Sequence, residues 1–318
     1  MKQLEKDYTA TNTKLLKHPD RLATAKKGLF QPITLEVAPT NKCNLNCNFC
    51  SVANRDTTQE LNITELETAL STFQLIGLKS IEITGGGDPC LYPHINRLIN
   101  TIHRQTTWPI GMITNGIALD KIQKINLQHL TWLRISLNAL DQIQTKPYER
   151  KLLKLGLDDF QGTLGFSYVW NKTSDLNIIL PLLRRFKLEF NAKYVRVVPN
   201  CLSVKDQKTF KDNIAKHFQE EGMFAQTKPY SIPENCYWGY FKPFLNADGY
   251  IYRCSACPLL DRKFPEDFRM GHMNDIIKIW KNAKPFKPTR CEPGKCFFAP
   301  QNQLIHEAIT GGPHDDFI

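Results

Sequence analysis

No stretch of the chain approaches the roughly 18–20 consecutive apolar residues that a membrane-spanning helix requires. The opening segment, MKQLEKDYTATNTKLLKHPD, is polar and lacks the apolar core of a secretory signal. No membrane association and a cytoplasmic location are the expectations that follow. Internal repeats and low-complexity tracts are also missing, so the chain reads as ordinary globular protein rather than a fibrous or disordered one. Acidic residues are in the minority, 31 against 41 basic ones, which leaves a formal charge of +10. At 318 residues, with 42% hydrophobic and 23% charged positions, the chain can bury a core as one large domain or two moderate ones.

Cysteine, by contrast, is plentiful and clustered. Ten cysteines fall at positions 43, 47, 50, 90, 201, 236, 254, 257, 291 and 296. Disulfide-dense chains are typically short and secreted, whereas this one is long and has no export signal. Clustered thiols in a reducing compartment point instead to metal or redox chemistry. The first group lies in Thr40-Asn41-Lys42-Cys43-Asn44-Leu45-Asn46-Cys47-Asn48-Phe49-Cys50. Three thiolates so close can hold three corners of an iron–sulfur cubane, leaving the fourth iron open to a non-protein ligand. Zinc is the alternative. It ordinarily needs a fourth ligand nearby, and no histidine falls between Cys50 and Tyr92.

The surrounding pattern alternates strands with helices. Strand-like runs are Ile33–Ala38, Ser80–Thr84, Pro109–Thr114, Trp132–Leu137, Leu164–Val169 and Tyr194–Val198. Ile63–Ile76 and Ile95–His103 carry apolar residues at helical spacing, and Ser174–Phe190 supplies a further helix. Asn62 or Thr64 is a natural start for the first helix and Gly77 a natural stop. Alternation of this kind predicts an α/β fold with a parallel sheet, and six units predict a partial TIM-like (β/α)6 barrel open on one side. The expected organisation is a basic lead-in over residues 1–30, the barrel over 31–225 and a small C-terminal domain over 226–318. The cysteine trio follows strand one and Gly85-Gly86-Gly87 follows strand two, so both belong at the strand C-terminal rim, where barrels carry their sites.

On these residues the chain resembles the radical S-adenosylmethionine (SAM) superfamily. The family's CxxxCxφC motif is matched by Cys43, Cys47, Phe49 and Cys50. The resemblance implies a 4Fe–4S cluster on the three cysteines whose open iron binds SAM, with an external flavodoxin- or ferredoxin-like electron donor. Reductive cleavage of SAM then yields a 5′-deoxyadenosyl radical that abstracts a substrate hydrogen atom. Gly86-Gly87-Asp88 resembles the family's GGE segment, with Asp in place of Glu; glycine permits close backbone approach and the acid is an acceptor for the SAM ammonium. Asn115, in Thr114-Asn115-Gly116, and Ser136 and Asn138, at the end of strand four, are the further SAM-contacting positions the resemblance implies. Turn and cap roles account for the same residue types.

The C-terminal cysteines form a second group. Cys236, twelve residues, Gly249, four residues and Cys254 resemble the opening of SPASM and twitch domains, which hold auxiliary iron–sulfur clusters. Gly249 sits in Asn246-Ala247-Asp248-Gly249-Tyr250, a hairpin-turn sequence. Five cysteines against the seven of a full SPASM domain imply a single auxiliary 4Fe–4S cluster. The preferred ligands are Cys236, Cys254, Cys291 and Cys296, with Cys257 as an alternative and a zinc ribbon as the other metal reading. One three-thiolate and one four-thiolate cluster would lower the charge to about +7.

Substrate is the open question. A nucleotide or nucleic acid is favoured by the basic balance and by Lys205, Lys208, Lys211 and Lys216 on an expected helix over 203–222. The run Lys278, Lys281, Lys284, Lys287, Arg290 adds to it, as do Tyr237, Trp238, Tyr240 and Phe241 as stacking surfaces. A solvated lysine-rich surface and core aromatics explain these residues equally. A peptide substrate is the alternative, although the roughly 30 residues before strand one are too few for the leader-binding domain such enzymes often carry. A small-molecule dehydrogenase also fits, and an iron–sulfur electron-transfer module is the non-enzymatic reading. Cys201, after strand six, and Tyr168 and Arg196, taken as barrel-interior positions, are the candidate catalytic residues.

Overall fold

The computed structural model describes residues 7–227, 231–256, 265–288, 291, 296 and 298–311. Cys257 and Arg290 therefore lie outside the described residues. Six of the strands are β1 (Thr34–Val37), β2 (Ser80–Ile83), β3 (Ile110–Thr114), β4 (Trp132–Ser136), β5 (Thr163–Trp170) and β6 (Tyr194–Pro199). Four short ones follow: β7 (Phe224–Ala225), β8 (Phe244–Leu245), β9 (Tyr250–Tyr252) and β10 (Arg269–His272). They form one sheet in the order β10-β9-β8-β1-β2-β3-β4-β5-β6-β7, parallel from β8 to β7 and antiparallel through β8, β9 and β10. The expected α/β barrel architecture is present, and β1 and β6 are not neighbours, so the barrel is open.

Period-two alternation gives each strand two faces. Val37, Ile83, Met112, Leu133 and Leu164 share one register row and are all buried. Phe166 belongs to this outer face and meets Phe186, on the helix Leu176–Glu189, edge to face. The opposite, inner face carries Glu36, Glu82, Arg134, Ser136, Ser167 and Arg196. Arg196 on β6 lies close enough to Glu82 on β2 to lower its pKa. In a flat sheet those strands would stand about 19 Å apart at ~4.8 Å per strand, so the sheet curls around this charged interior.

The helices follow their sequence signals. Asn62 Oδ1 accepts the N–H groups of Thr64 (2.9 Å) and Glu65 (3.1 Å), capping the helix Ile63–Leu75. Leu66, Ala69, Leu70 and Phe73 form its buried stripe, and Gly77 ends it at φ +87°. The helix Thr145–Lys154, between β4 and β5, has no counterpart in the sequence reading; its three buried residues, Tyr148, Glu149 and Leu152, make too thin a stripe. The lysine-rich segment is helical over Val204–Glu220 with a wide turn at Phe210–Ile214.

The C-terminal segment continues the sheet. Phe244 and Leu245 pair with Glu36 and Val37. The β8–β9 hairpin turns through Gly249 at φ +80°, as its sequence predicts. Among the described residues no helix is long and apolar enough to cross a membrane.

Candidate active site

The loop that leaves β1 is tied at both ends. Thr40 Oγ1 donates to Glu60 Oε2 (3.1 Å), while the buried Asn41 donates through Nδ2 to Asp56 O (3.1 Å) and Gln59 Oε1 (3.0 Å). Between these ties Cys43, Cys47 and Cys50 are half-buried, with Cys50 N–H donating to Cys47 O (3.1 Å). Burial raises the Cys43 thiol and drives that of Cys47 to about 11, and neighbouring cysteines add to both. Three half-buried thiols on one short loop suit a centre that supplies positive iron.

The segment after β2 grips this loop by backbone. Gly87 N–H donates to Thr40 O (3.1 Å) and Asp88 N–H to Lys42 O (2.7 Å). A Cβ on Gly87 would collide with the Lys42 carbonyl, and one on Gly86 with the Asn41 side-chain oxygen. Both positions need glycine because the chains touch. The Asp88 carboxylate is buried and accepts from Cys90 N (3.0 Å), Thr114 Oγ1 (2.8 Å) and Asn115 N (2.6 Å). Burial pushes it above the usual carboxylate range, against those donors. It straps the exit of β2 to that of β3.

Each thiol of the trio has an N–H donor of its own. Arg55 Nη1 lies 3.6 Å from Cys50 Sγ, Gln142 Nε2 lies 3.3 Å from Cys47 Sγ, and Asn115 Nδ2 lies 3.9 Å from Cys43 Sγ. Donors to cluster sulfurs are a recognised means of tuning an iron–sulfur centre, so the surroundings fit such a group. Neither Arg55 nor Gln142 emerges from the sequence, because Arg55 belongs to no motif and Gln142 lies 95 positions from its cysteine.

The remaining expected positions divide. Phe49 is half-buried in the loop, and Ser136 is half-buried on the inner face. Asn138 is buried and its amide is committed: Nδ2 donates to Asp141 Oδ2 (2.9 Å) and Val169 O (3.1 Å), and Oδ1 accepts Val169 N–H (2.6 Å). Arg196 faces the interior, where its Nε donates to Gln226 Oε1 (2.8 Å). Tyr168 does not. It shares the outer face with Phe166, so the interior placement is corrected, and its hydroxyl donates to Asp141 Oδ1 (2.9 Å). Tyr168 also lines a cavity of about 560 Å³ together with Leu140, Asp141, Asp175 and Ile179. Cys201 is half-buried in the turn after β6. The aromatics Tyr237, Trp238, Tyr240 and Phe241 are all buried, which removes them as base-stacking surfaces.

The C-terminal thiols also gather. Burial pushes the Cys236 thiol up to about 12, and Cys254, Cys291 and Cys296 are each near enough to raise it further. Cys236 is bridged by backbone to Phe286, and Asn302 Oδ1 accepts the N–H groups of Tyr237 (2.8 Å) and Trp238 (3.0 Å). Four thiols of one neighbourhood fit a four-thiolate centre. Among the described residues, no three His, Cys, Asp or Glu side chains converge tightly enough to hold a single metal ion.

Known proteins resemble this chain over part of its sequence and in its fold. Residues 37–157 match the model of the Radical SAM superfamily. The probable GTP 3′,8-cyclase of Methanocaldococcus jannaschii is 31% identical over 111 residues, 34% of this chain and 37% of that protein. The GTP 3′,8-cyclase of Staphylococcus carnosus is 26% identical over 178 residues, 50% of this chain and 52% of that one. The match thus spans between about a third and a half of these relatives' length. In fold, Streptococcus suis SuiB bound to S-adenosylmethionine gives a TM-score of 0.59 at 18% identity, covering 86% of this chain and 72% of SuiB. Native anSMEcpe with bound AdoMet and Kp18Cys peptide gives 0.57 at 14% identity, covering 90% of this chain and 86% of that one.

Proposed function

We propose that this chain, whose residues 37–157 match the Radical SAM superfamily, is a radical SAM enzyme that reductively cleaves SAM at Cys43, Cys47 and Cys50 to oxidise or rearrange a nucleotide. The observation that carries the reading is the thiol trio, seated by the β2 glycines and donated to by three side chains. Cys43, Cys47 and Cys50 would hold a 4Fe–4S cluster, which would supply the electron and a site for SAM. Gly86 and Gly87 give the backbone its approach, and Phe49 and the half-buried Ser136 border the same rim. Asn115 and Asp88 act by holding the loop. Asn138 braces β4 against β5 rather than offering its amide to SAM.

Cys236, Cys254, Cys291 and Cys296 would hold an auxiliary 4Fe–4S cluster, a reading supported by the nearness of the last three to Cys236, and an external flavodoxin- or ferredoxin-like protein delivers the electrons. The nucleotide reading is supported by Arg134 and Arg196 on the interior face, suited to a phosphorylated substrate, and by the relatives named for GTP. With the C-terminal aromatics buried, a free nucleotide fits better than a nucleic-acid strand.

Anaerobic reconstitution should give about eight irons and eight acid-labile sulfides per chain. Dithionite should then produce 5′-deoxyadenosine from SAM, faster with a nucleoside triphosphate than without. No 5′-deoxyadenosine under any condition rejects the reading. One zinc with iron only at the trio rejects the auxiliary cluster, and stimulation by peptides alone moves the substrate to that class.

A further inference from the structure

The three donors around the trio come from separate parts of the fold: Arg55 from the loop after the cysteines, Asn115 from the exit of β3, Gln142 from the exit of β4. Each is locked by further bonds that fix which atom meets sulfur. Arg55 Nε donates to Asn41 O (2.7 Å) and Nη1 to Val52 O (2.8 Å), so the guanidinium lies against Cys50. Gln142 Oε1 accepts Asn46 N–H (3.1 Å), which turns Nε2 toward Cys47. Asn115 Oδ1 accepts Ile117 N–H (2.9 Å), so Nδ2 faces Cys43 and Asn44 Oδ1, the latter at 2.7 Å. One sulfur has a cationic donor and two have neutral ones.

Reduction adds negative charge to a cluster, and part of that charge resides on the sulfurs. A donor aimed at sulfur stabilises the reduced state, and a cationic donor does so more strongly than a neutral amide. Resting on the cluster assignment above, we propose that Arg55, Gln142 and Asn115 are positioning residues that raise the reduction potential of the SAM-binding cluster, with Arg55 the largest contributor. The set brings the cluster within reach of a protein electron donor without adding a ligand. It also divides the labour: Asn115 is rigid and backed by Asp88, whereas Gln142 is exposed and holds its cysteine from across the barrel mouth.

The test is a redox titration of the reconstituted holoenzyme followed by electron paramagnetic resonance, reading only the signal that changes when SAM is added. Arg55→Gln should lower the ratio of reduced to oxidised cluster about tenfold at a fixed potential, or about 59 mV for one electron. Gln142→Leu should lower it about threefold, as befits a neutral bond. Arg55→Lys, which keeps the charge but not the fork, should fall between wild type and Arg55→Gln. Iron and sulfide are counted in each variant. If Arg55→Gln does not load, Arg55→Lys and Gln142→Leu decide. Potentials equal to wild type in every loaded variant overturn the proposal. Absence of a SAM-responsive signal in the wild type overturns the cluster assignment instead.

Discussion

A methyl group at Gly87 has nowhere to go, since it would meet a backbone carbonyl, that of Lys42, which cannot step aside without dragging Cys43 with it. At Gly86 the obstacle is the tip of the Asn41 side chain. Gly87→Ala should therefore cost about 3 kcal/mol and Gly86→Ala less, readable as an ordered pair of thermal midpoints. Iron bound at the trio should fall in the same order. Equal midpoints would mean that the glycines serve only the turn. The cysteines and glycines were legible in the sequence because their chemistry depends on local spacing. Arg55 and Gln142 were not, since an arginine or glutamine is ordinary anywhere until folding sets it beside a thiol.

The strap between β2 and β3 rests on one carboxylate accepting two backbone N–H groups and a hydroxyl. Asp88→Asn keeps the shape but turns one acceptor into a donor that faces other donors. A loss of about 1–3 kcal/mol is expected, measured as a lower urea midpoint with unchanged slope. Six strands and the Asn62-capped helix could be read from periodicity, because burial on one face leaves a repeating mark. The two-residue strands β7 and β8 leave none. The side to which Tyr168 points was equally hidden: an aromatic within a run buried on both faces has no alternation to orient it, and the register with β6 decides the matter.

Across the whole molecule, one lysine joins the C-terminal segment to the barrel. Lys242 Nζ lies 2.9 Å from Glu82 Oε2 and 3.6 Å from Glu36 Oε2, all three being largely shielded from water. The two carboxylates hold the Lys242 pKa up against burial. Lys242→Met would leave both acids facing each other, at a cost of about 3–5 kcal/mol in urea unfolding; adding Glu36→Gln should recover part of it. An unchanged unfolding energy would show that water screens the trio of charges. The sheet order has a bearing on biosynthesis as well. The strand that launches the cysteine loop pairs on one side with Ser80–Ile83 and on the other with Phe244–Leu245. While the chain is emerging from the ribosome, that second flank stays bare until residues 244 and 245 have been made. A nascent chain stalled before residue 244 thus presents an unpaired parallel edge beside the cysteine loop to its neighbours.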